Sequence, residues 1–272
     1  MPGKIKLFVV KIGGNIIDDN VRLNEFLQQF AALPGAKILV HGGGKLATEL
    51  AEKLGIQQVM IDGRRVTDEA TLRIAEMVYG GLVNKQLVAA LHPFGCTALG
   101  VCGADGDLIR AHKRQHPTID FGLVGDIDTV NAPLLDRWLG QGFTPVIAPL
   151  SHDGEGQLFN TNADTITQEI AKAMSQAFHV VLVYGFEKSG VLLDVNDEKS
   201  CLTQIDFEQF QELKRKKIIT KGMIPKLENA FSAVKEGVRR VIIGRAESLP
   251  PTLKPARLQL KPALKISTLR WN

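Results

Sequence analysis

Two lysines and two glycine turns occupy positions where they could bind an anion. Lys11 ends an apolar run and precedes a glycine pair at 13–14, and three more glycines at 42–44 follow the apolar run 37–40. Glycine has no Cβ, so its backbone amide can approach an anion closely. A helix that begins beside such amides adds about half a positive charge. Lys226 lies near the start of a predicted helix. The helix dipole disfavours a cation at that end, which argues against a purely structural role for this lysine.

A cluster of polar side chains precedes another predicted helix. Asn160, Asn162 and Asp164 alternate along the sequence. Such side chains often cap a helix, which is the alternative interpretation. As part of a site they would offer amide donors to a carboxylate and an acid that holds lysines in place. Two lysines, two sets of glycine amides and no evident Ser-His pair are typical of phosphoryl transfer, which needs positioning and charge neutralisation more than covalent chemistry.

The glycine triplet at 42–44 does not match two familiar phosphate-binding motifs. A P-loop requires a glycine five residues before its Gly-Lys pair and a Ser or Thr after it, but Leu39 and Leu46 occupy those positions. A dinucleotide fingerprint requires a third glycine where Ala47 stands, which makes a dinucleotide-binding oxidoreductase an unfavourable alternative. The triplet alone predicts either a plain strand-to-helix turn or a different anion site.

Short apolar runs alternate with amphipathic helices along the chain, which predicts an α/β fold with a mostly parallel sheet. Ligands of such sheets bind beyond the carboxyl ends of the strands, where Lys11 and the glycine triplet both lie. The predicted strands are 5–12, 37–40, 97–105, 144–150 and 179–185, and the predicted helices are 21–33, 43–55, 68–95 and 162–177. In the longest helix, the predicted apolar stripe comprises Leu72, Ala75, Val78 and Leu82.

The composition limits the classes of protein to which the chain can belong. Its 272 residues are 44% hydrophobic with a net charge of +4, which suits a globular protein with acidic small-molecule substrates and makes no case for nucleic acid. The three cysteines lack CxxC spacing, so we expect reduced thiols and a cytoplasmic location. No apolar window approaches the roughly 18 residues of a membrane span, and the first apolar run is too short for a signal peptide.

Six motifs, taken in order, resemble those of the amino acid kinase family, and within it the kinases that act on N-acetylglutamate. The resemblance covers the chain up to about residue 245 and rests on KIGGN (11–15), VHGGGK (40–45), DGRRVTD (62–68), GLVNKQLV (81–88), FNTNAD (159–164) and IITKGMIPK (218–226). It implies a three-layer αβα sandwich with a mostly parallel, open central sheet. Residues 1–175 would form a lobe for acyl-glutamate binding and dimerisation, and residues 176–272 would form an ATP-binding lobe.

The same resemblance implies the activity and the role of each site residue. The expected reaction is ATP-dependent phosphorylation of the γ-carboxylate of N-acetyl-L-glutamate, a step of arginine biosynthesis, with Mg²⁺ arriving on ATP. Lys11 and Lys226 would flank the transferring phosphoryl group, and Asp164 would orient both ammonium groups. Gly43, Gly44, Arg65, Asn160 and Asn162 would bind the acyl-glutamate, and Gly13, Gly14, Gly42, Lys221, Gly222 and Met223 would bind ATP. Arg65 would take a substrate carboxylate, for which its planar fork is the natural partner.

Several alternatives remain open at this point. The substrate could be a neighbouring compound, N-succinylglutamate or an N-blocked aminoadipate. For the succinyl compound, Arg64 stands beside Arg65 and could receive the extra carboxylate. Alternatively, Arg64 points the other way on an extended segment and is solvated. A non-catalytic nucleotide-binding regulator on the same fold is the alternative from another class. The long helix 68–95 has apolar residues to spare, and no helix precedes the first strand. Within the family, these features lead us to expect a homodimer that arginine does not inhibit.

Overall fold

The computed structural model describes residues 4–61, 64–194, 196–202, 204–219, 223–246 and 258–260. Strands and helices alternate along most of this length. The strands are β1 (Lys6–Ile12), β2 (Ala36–His41), β3 (Met60–Ile61), β4 (Arg64–Arg65), β5 (Ala98–Val101), β6 (Ile109–Lys113), β7 (Gly125–Val130), β8 (Thr144–Ile147), β9 (Leu150–His152), β10 (Leu158–Asn160), β11 (His179–Phe186), β12 (Gln204–Ile205), β13 (Arg240–Arg245) and β14 (Leu258–Leu260).

The helices lie between these strands and bring the chain from one strand to the next. They are α1 (Gly14–Ile17), α2 (Asn20–Ala31), α3 (Gly44–Lys53), α4 (Glu69–Ala75), α5 (Asn84–Leu91), α6 (Ala132–Gly140), α7 (Ala163–Met174), α8 (Phe207–Arg215) and α9 (Met223–Lys235). A π-helical segment, Glu76–Val83, joins α4 to α5, and short 3₁₀ turns cover His92–Phe94 and Glu198–Ser200. In the described part of the chain no helix is long and apolar enough to cross a membrane.

The described strands form an eight-stranded central sheet in the order β12-β14-β13-β11-β1-β2-β8-β5. Every pairing from β13 to β5 is parallel, and β14 runs antiparallel to β13. This confirms the predicted mostly parallel sheet. β1 lies in the middle, paired with β2 on one side and β11 on the other. The carboxyl ends of these three strands therefore meet at one edge of the sheet.

Helices cover both faces of the central sheet, which confirms the predicted three-layer αβα sandwich. Alternate residues of β1 enter different apolar cores. Leu7 and Val9 pack in a core shared with α7, α8 and α9. Phe8 and Val10 pack in a second core shared with α1 to α5. Lys11, two residues beyond Val9, therefore belongs to the α7 and α9 face of the strand.

The longest predicted helix runs continuously from Glu69 to Leu91, but its apolar stripe differs from the prediction at one position. Leu72, Ala75 and Val78 are buried as expected, whereas Leu82 is 49% exposed. The π-helical segment is the cause, because its wider turn brings residue i+5 rather than i+4 over residue i. Val83 consequently takes the buried position above Val78.

A second, four-stranded sheet in the order β10-β9-β6-β7 lies beside the carboxyl edge of the central sheet. Its strands β6 and β7 form an antiparallel pair with a register shift between Arg110 and Ala111. β10 ends at Asn160, whose backbone N–H donates to the carbonyl of Leu123 at 3.0 Å. This sheet fixes the segment that leads into α7.

Candidate active site

Three charged side chains meet where β1, α7 and α9 come together. The Nζ atom of Lys11 lies 2.8 Å from Oδ1 of Asp164, and the Nζ atom of Lys226 lies 2.7 Å from Oδ2 of the same carboxylate. The side chains of Lys11, Asp164 and Lys226 keep 13%, 17% and 25% of their surface exposed. One carboxylate therefore holds two ammonium groups side by side in a partly desolvated site.

Local structure explains why these side chains converge. Strand alternation directs Lys11 to the face of β1 that α7 and α9 cover. Asp164 lies in the first turn of α7, where the side-chain oxygen of Asn162 accepts from its backbone N–H at 2.8 Å and from that of Thr165 at 3.1 Å. Lys226 lies in the first turn of α9. Two helix N-termini thus point their first turns at the end of β1.

Electrostatics keep Asp164 ionised. Burial alone would raise the pKa of this carboxyl group, but the charges of Lys11 and Lys226 outweigh burial and hold the pKa well below its usual range. The site therefore carries an excess of positive charge at neutral pH. Such an excess suits an anionic ligand whose charge grows during a reaction.

The two glycine turns lie against each other beside this cluster. The backbone N–H of Gly42 donates to the carbonyl of Ile12 at 3.0 Å, and a Cβ on Gly42 would lie 3.7 Å from the backbone nitrogen of Gly14. Gly43 has a φ of 156°, and a Cβ there would come within 3.0 Å of the Tyr79 ring. A side chain at Gly43 would therefore be both strained and blocked.

A cavity of about 190 Å³ adjoins the ion cluster. Its walls include six of the predicted site residues: Gly42, Gly43, Gly44, Arg65, Asn160 and Asn162. Arg64, the neighbour of Arg65 on β4, also lines it. Both arginines of the pair therefore contribute to the cavity wall.

Arg65 contacts the start of α3 and the loop that follows this helix. Its Nη2 atom donates to the carbonyl of Gly44 at 2.8 Å and to the hydroxyl of Thr48 at 2.9 Å, and its Nη1 atom donates to the side chain of Gln58. These bonds hold the guanidinium against the start of α3. The guanidinium is thus held in one orientation before any ligand arrives.

The two asparagines play different structural parts. Asn160 donates from its Nδ2 atom to the hydroxyl of Thr67 at 3.0 Å, so its amide is fixed at the cavity wall. The Oδ1 atom of Asn162 caps α7, as the alternative interpretation in the sequence allowed. The cap uses only the oxygen of the Asn162 side chain, so the side-chain N–H groups take no part in it. Asn162 also lines the cavity.

This geometry is accompanied by a match to a known family. A model described as the amino acid kinase family matches residues 6–245. The chain belongs to the amino acid kinase family. That match spans the central sheet from β1 to β13, both glycine turns and all three members of the ion cluster.

Individual relatives within the amino acid kinase family are similar over most of the chain. An acetylglutamate kinase of Cytophaga hutchinsonii is 52% identical over 245 residues, which cover 90% of this chain and 93% of that one. An acetylglutamate kinase of Bacteroides fragilis is 50% identical over 246 residues, with 90% and 94% coverage. A crystal structure of Neisseria gonorrhoeae N-acetylglutamate synthase, complexed with coenzyme A and N-acetyl-glutamate, superposes with a TM-score of 0.79 at 21% identity. The superposition covers 94% of this chain and 59% of that one, and it shows the common fold.

The predicted ATP-binding residues are divided between described and undescribed parts of this family member. Lys221 and Gly222 lie outside the described residues, as does most of the segment after residue 246. Met223, the third member of that predicted group, begins α9. Gly13 caps α1, and Gly14 is its first residue.

Two tyrosines at the site were not predicted from the sequence. The chain contains two tyrosines, and both approach predicted site residues. Tyr79 packs under Gly43 and lines the cavity. The hydroxyl of Tyr184 donates to the backbone carbonyl of Asp164 at 3.4 Å, and burial raises the pKa of Tyr184 far above its usual range, so it stays neutral. Tyr184 is the register partner of Lys11 between β1 and β11, which places both side chains on the same face of the sheet.

Proposed function

We propose that this amino acid kinase transfers the γ-phosphoryl group of ATP to the γ-carboxylate of N-acetyl-L-glutamate, giving N-acetylglutamyl 5-phosphate in arginine biosynthesis. The observation that carries the proposal is the pair of ammonium groups on one carboxylate, beside two glycine turns and a cavity with an arginine fork. The choice of acceptor is supported by relatives named acetylglutamate kinase, whose sequences are 50% and 52% identical to this chain.

The chemistry requires little more than positioning and charge neutralisation. A γ-carboxylate oxygen attacks the γ-phosphorus, the bond from that phosphorus to the β,γ-bridging oxygen breaks, and ADP leaves with the electron pair. The carboxylate is already ionised at neutral pH, so the step needs no general base. Lys11 and Lys226 would neutralise charge on the transferring group and the leaving oxygen, while Asp164 keeps their Nζ atoms in place.

The glycine turns fit the phosphates of ATP. The backbones of Gly13, Gly14 and Gly42 lie close together. A Cβ on Gly42 would lie 3.7 Å from the nitrogen of Gly14 and 4.0 Å from the Cα of Gly13. Mg²⁺ bound to ATP would lower the charge of the phosphates and would be held mainly by them. Within the described ranges, no group of three or more His, Cys, Asp or Glu side chains could hold a metal ion. In this proposal the acyl-glutamate binds against residues of the segment 1–175, and the protein is cytoplasmic. ATP binds against residues of 176–272, and its phosphates reach across to the glycine turns of the first segment.

The choice of acyl group is tested by comparing substrates. We expect kcat/KM, measured by ADP release, to be higher for N-acetylglutamate than for N-succinylglutamate and far higher than for glutamate. Arg64 gives the succinyl compound its specific support, because it lines the same cavity as Arg65. A succinyl preference above about tenfold that disappears in Arg64→Ala would reassign the substrate, since a site built for an extra carboxylate discriminates strongly. If no ADP were released with any of the three acceptors, a non-catalytic regulator would be favoured instead.

Replacing Arg65 is expected to impair binding of the acyl-glutamate more than turnover. A carboxylate fork acts on the ground state and the transition state alike, so Arg65→Ala should mainly raise the KM of the acceptor and leave the KM of ATP little changed. Arg65→Lys should be nearly as poor, because an ammonium cannot make a bidentate contact or replace the bonds to Gly44 and Thr48. Steady-state kinetics with each substrate varied would check this. Equal rises in both KM values would contradict the assignment.

The long helix is expected to pair two copies of the chain. Met77 and Leu82, both in the π-helical segment, are 52% and 49% exposed, which leaves apolar surface without cover in one chain. Light scattering should give twice the 29.7 kDa of one chain. The double change Met77→Asp and Leu82→Asp should yield monomers, whereas Val21→Asp, at an exposed apolar position on α2, should not. A wild-type monomer would contradict the proposal.

A further inference from the structure

A buried hydrogen-bond relay lies against the glycine turn. His41, the last residue of β2, is fully buried. Its Nδ1 atom is 2.7 Å from the carbonyl oxygen of Gly42, and its Nε2 atom is 3.2 Å from the Nδ2 atom of Asn84, which begins α5. Neither side chain has a role in the chemistry described above. Asn84 belongs to the GLVNKQLV motif, whose part in the site was unassigned.

The partners of His41 determine where its proton lies. The carbonyl oxygen of Gly42 can accept but not donate, so Nδ1 must carry the hydrogen. Burial lowers the pKa of His41 to about 4, so the ring is neutral and Nε2 is left unprotonated. Nε2 then accepts a hydrogen bond from the amide of Asn84.

The orientation of the Asn84 amide is fixed by its other partners. The Nδ2 atom also donates to the carbonyl of Val146 at 2.9 Å, and Oδ1 accepts from the Nζ atom of Lys85 at 3.0 Å. Lys85 itself is anchored by a bond to the carbonyl of Gly100 at 3.0 Å. A flipped amide would set Oδ1 against the Val146 carbonyl and against the lone pair of His41 Nε2. Every polar atom of the relay therefore has one arrangement that satisfies it.

The relay also sets the direction of a backbone donor. In a trans peptide the carbonyl of one residue and the N–H of the next point in opposite directions. Because the Gly42 carbonyl is drawn toward the buried His41, the N–H of Gly43 points away from the interior. That N–H makes no hydrogen bond to any described residue, and Gly43 lines the cavity.

We propose that His41, held in its Nδ1–H tautomer by Asn84, is a positioning residue that aims the Gly43 N–H at the substrate. The inference rests on the proposed function for the identity of the anion that receives this N–H. It assigns a role to the π-helical segment Glu76–Val83 as well, because its wide turn brings both Val83 and Asn84 to the buried face. The long helix thereby supports the active site directly.

Two substitutions of His41 separate its two nitrogens. His41→Asn keeps an amide nitrogen near the place of Nδ1 and can still donate to Gly42, whereas His41→Gln keeps one near Nε2 and loses that donor. We expect kcat to fall about tenfold or more in His41→Gln and to stay within about threefold of wild type in His41→Asn. The KM of ATP should move less than kcat in both. His179→Gln, at the far end of β11, is the matched control and should leave kcat unchanged.

Equal losses in the two variants, or a His41→Gln enzyme that retains over half of the wild-type kcat, would overturn the proposal. A measurement without substrate keeps it testable if a variant fails to fold. Long-range ¹H–¹⁵N spectra of the wild-type protein, with the His41 signal assigned by its loss in either variant, should show a neutral ring protonated at Nδ1. A ring protonated at Nε2, or an imidazolium at neutral pH, would contradict the relay even if the kinase reaction is confirmed.

Discussion

Lys11→Ala and Lys226→Ala should each lower kcat by about 10²–10³-fold. This is the effect of losing one preorganised donor to a transition state, roughly 3–4 kcal/mol. Each ammonium group lies within 2.8 Å of Asp164. In the proposed reaction, both would lie where charge grows on the transferring phosphoryl group. The KM of the acyl-glutamate should change much less than kcat. Steady-state kinetics of the purified variants would measure both constants.

Lys172 provides a matched control for these two variants. Its Nζ atom lies 3.0 Å from Glu169 and 2.8 Å from Glu236, so it too is a lysine held by carboxylates, but it sits in the last turn of α7, away from the glycine turns. Lys172→Ala should leave kcat near that of the wild type. A Lys11 or Lys226 variant that retains over half of the wild-type kcat would remove that lysine from the proposed machinery.

Asp164→Asn should reduce both activity and stability. The amide cannot neutralise two ammonium groups, so Lys11 and Lys226 would repel each other and leave their positions. We expect kcat to fall by about 10²-fold or more, because misplacing two donors loses preorganisation. Leaving mostly buried charges without their partner typically costs about 3–5 kcal/mol of the free energy of unfolding. Asp136→Asn, at an exposed carboxylate, is the control for both measurements.

The stability difference between wild type and Asp164→Asn should also depend on pH. The folded-state pKa of Asp164 lies below the value of about 4 expected in the unfolded chain, so its contribution is complete at neutral pH. As the pH falls below the unfolded-state pKa, the unfolded chain takes up a proton that the folded protein does not. The difference should therefore shrink by about 1 kcal/mol between about pH 7 and about pH 3. Urea unfolding that gives the same difference at both pH values would contradict an ionised Asp164.

The sequence predicted the features of the fold that depend on local pattern. Short apolar runs, the first of them rich in β-branched residues, predicted β1, β2, β8 and β11, and their alternation with helices predicted the parallel sheet. Polar residues before a helix gave the start of α7. The resemblance then supplied the ion cluster, which no spacing rule could bring together, since Lys11, Asp164 and Lys226 are far apart along the chain.

Features that arise from tertiary context were not predictable in the same way. The π-helical segment leaves no periodic signal of its own, so Leu82 was placed in the apolar stripe although it is exposed. From the sequence, Tyr79 is indistinguishable from an ordinary core residue. Its contact with Gly43 appears only in the folded structure. His41 and Asn84 are 43 residues apart, and their contact depends on how β2 and α5 pack. In the second sheet, β9 and β10 are three residues long, which is too short for an alternation of apolar and polar residues to be recognised.

The product itself tests the central claim most directly. With ATP, Mg²⁺ and N-acetylglutamate, an acyl phosphate should form and react with hydroxylamine to give a hydroxamate, in proportion to the ADP released. Omitting either substrate, or using Lys11→Ala, should reduce the hydroxamate to a small fraction. ADP release without any trapped hydroxamate would mean that ATP is hydrolysed or that the phosphoryl group goes elsewhere, and it would contradict the proposed transfer to a carboxylate.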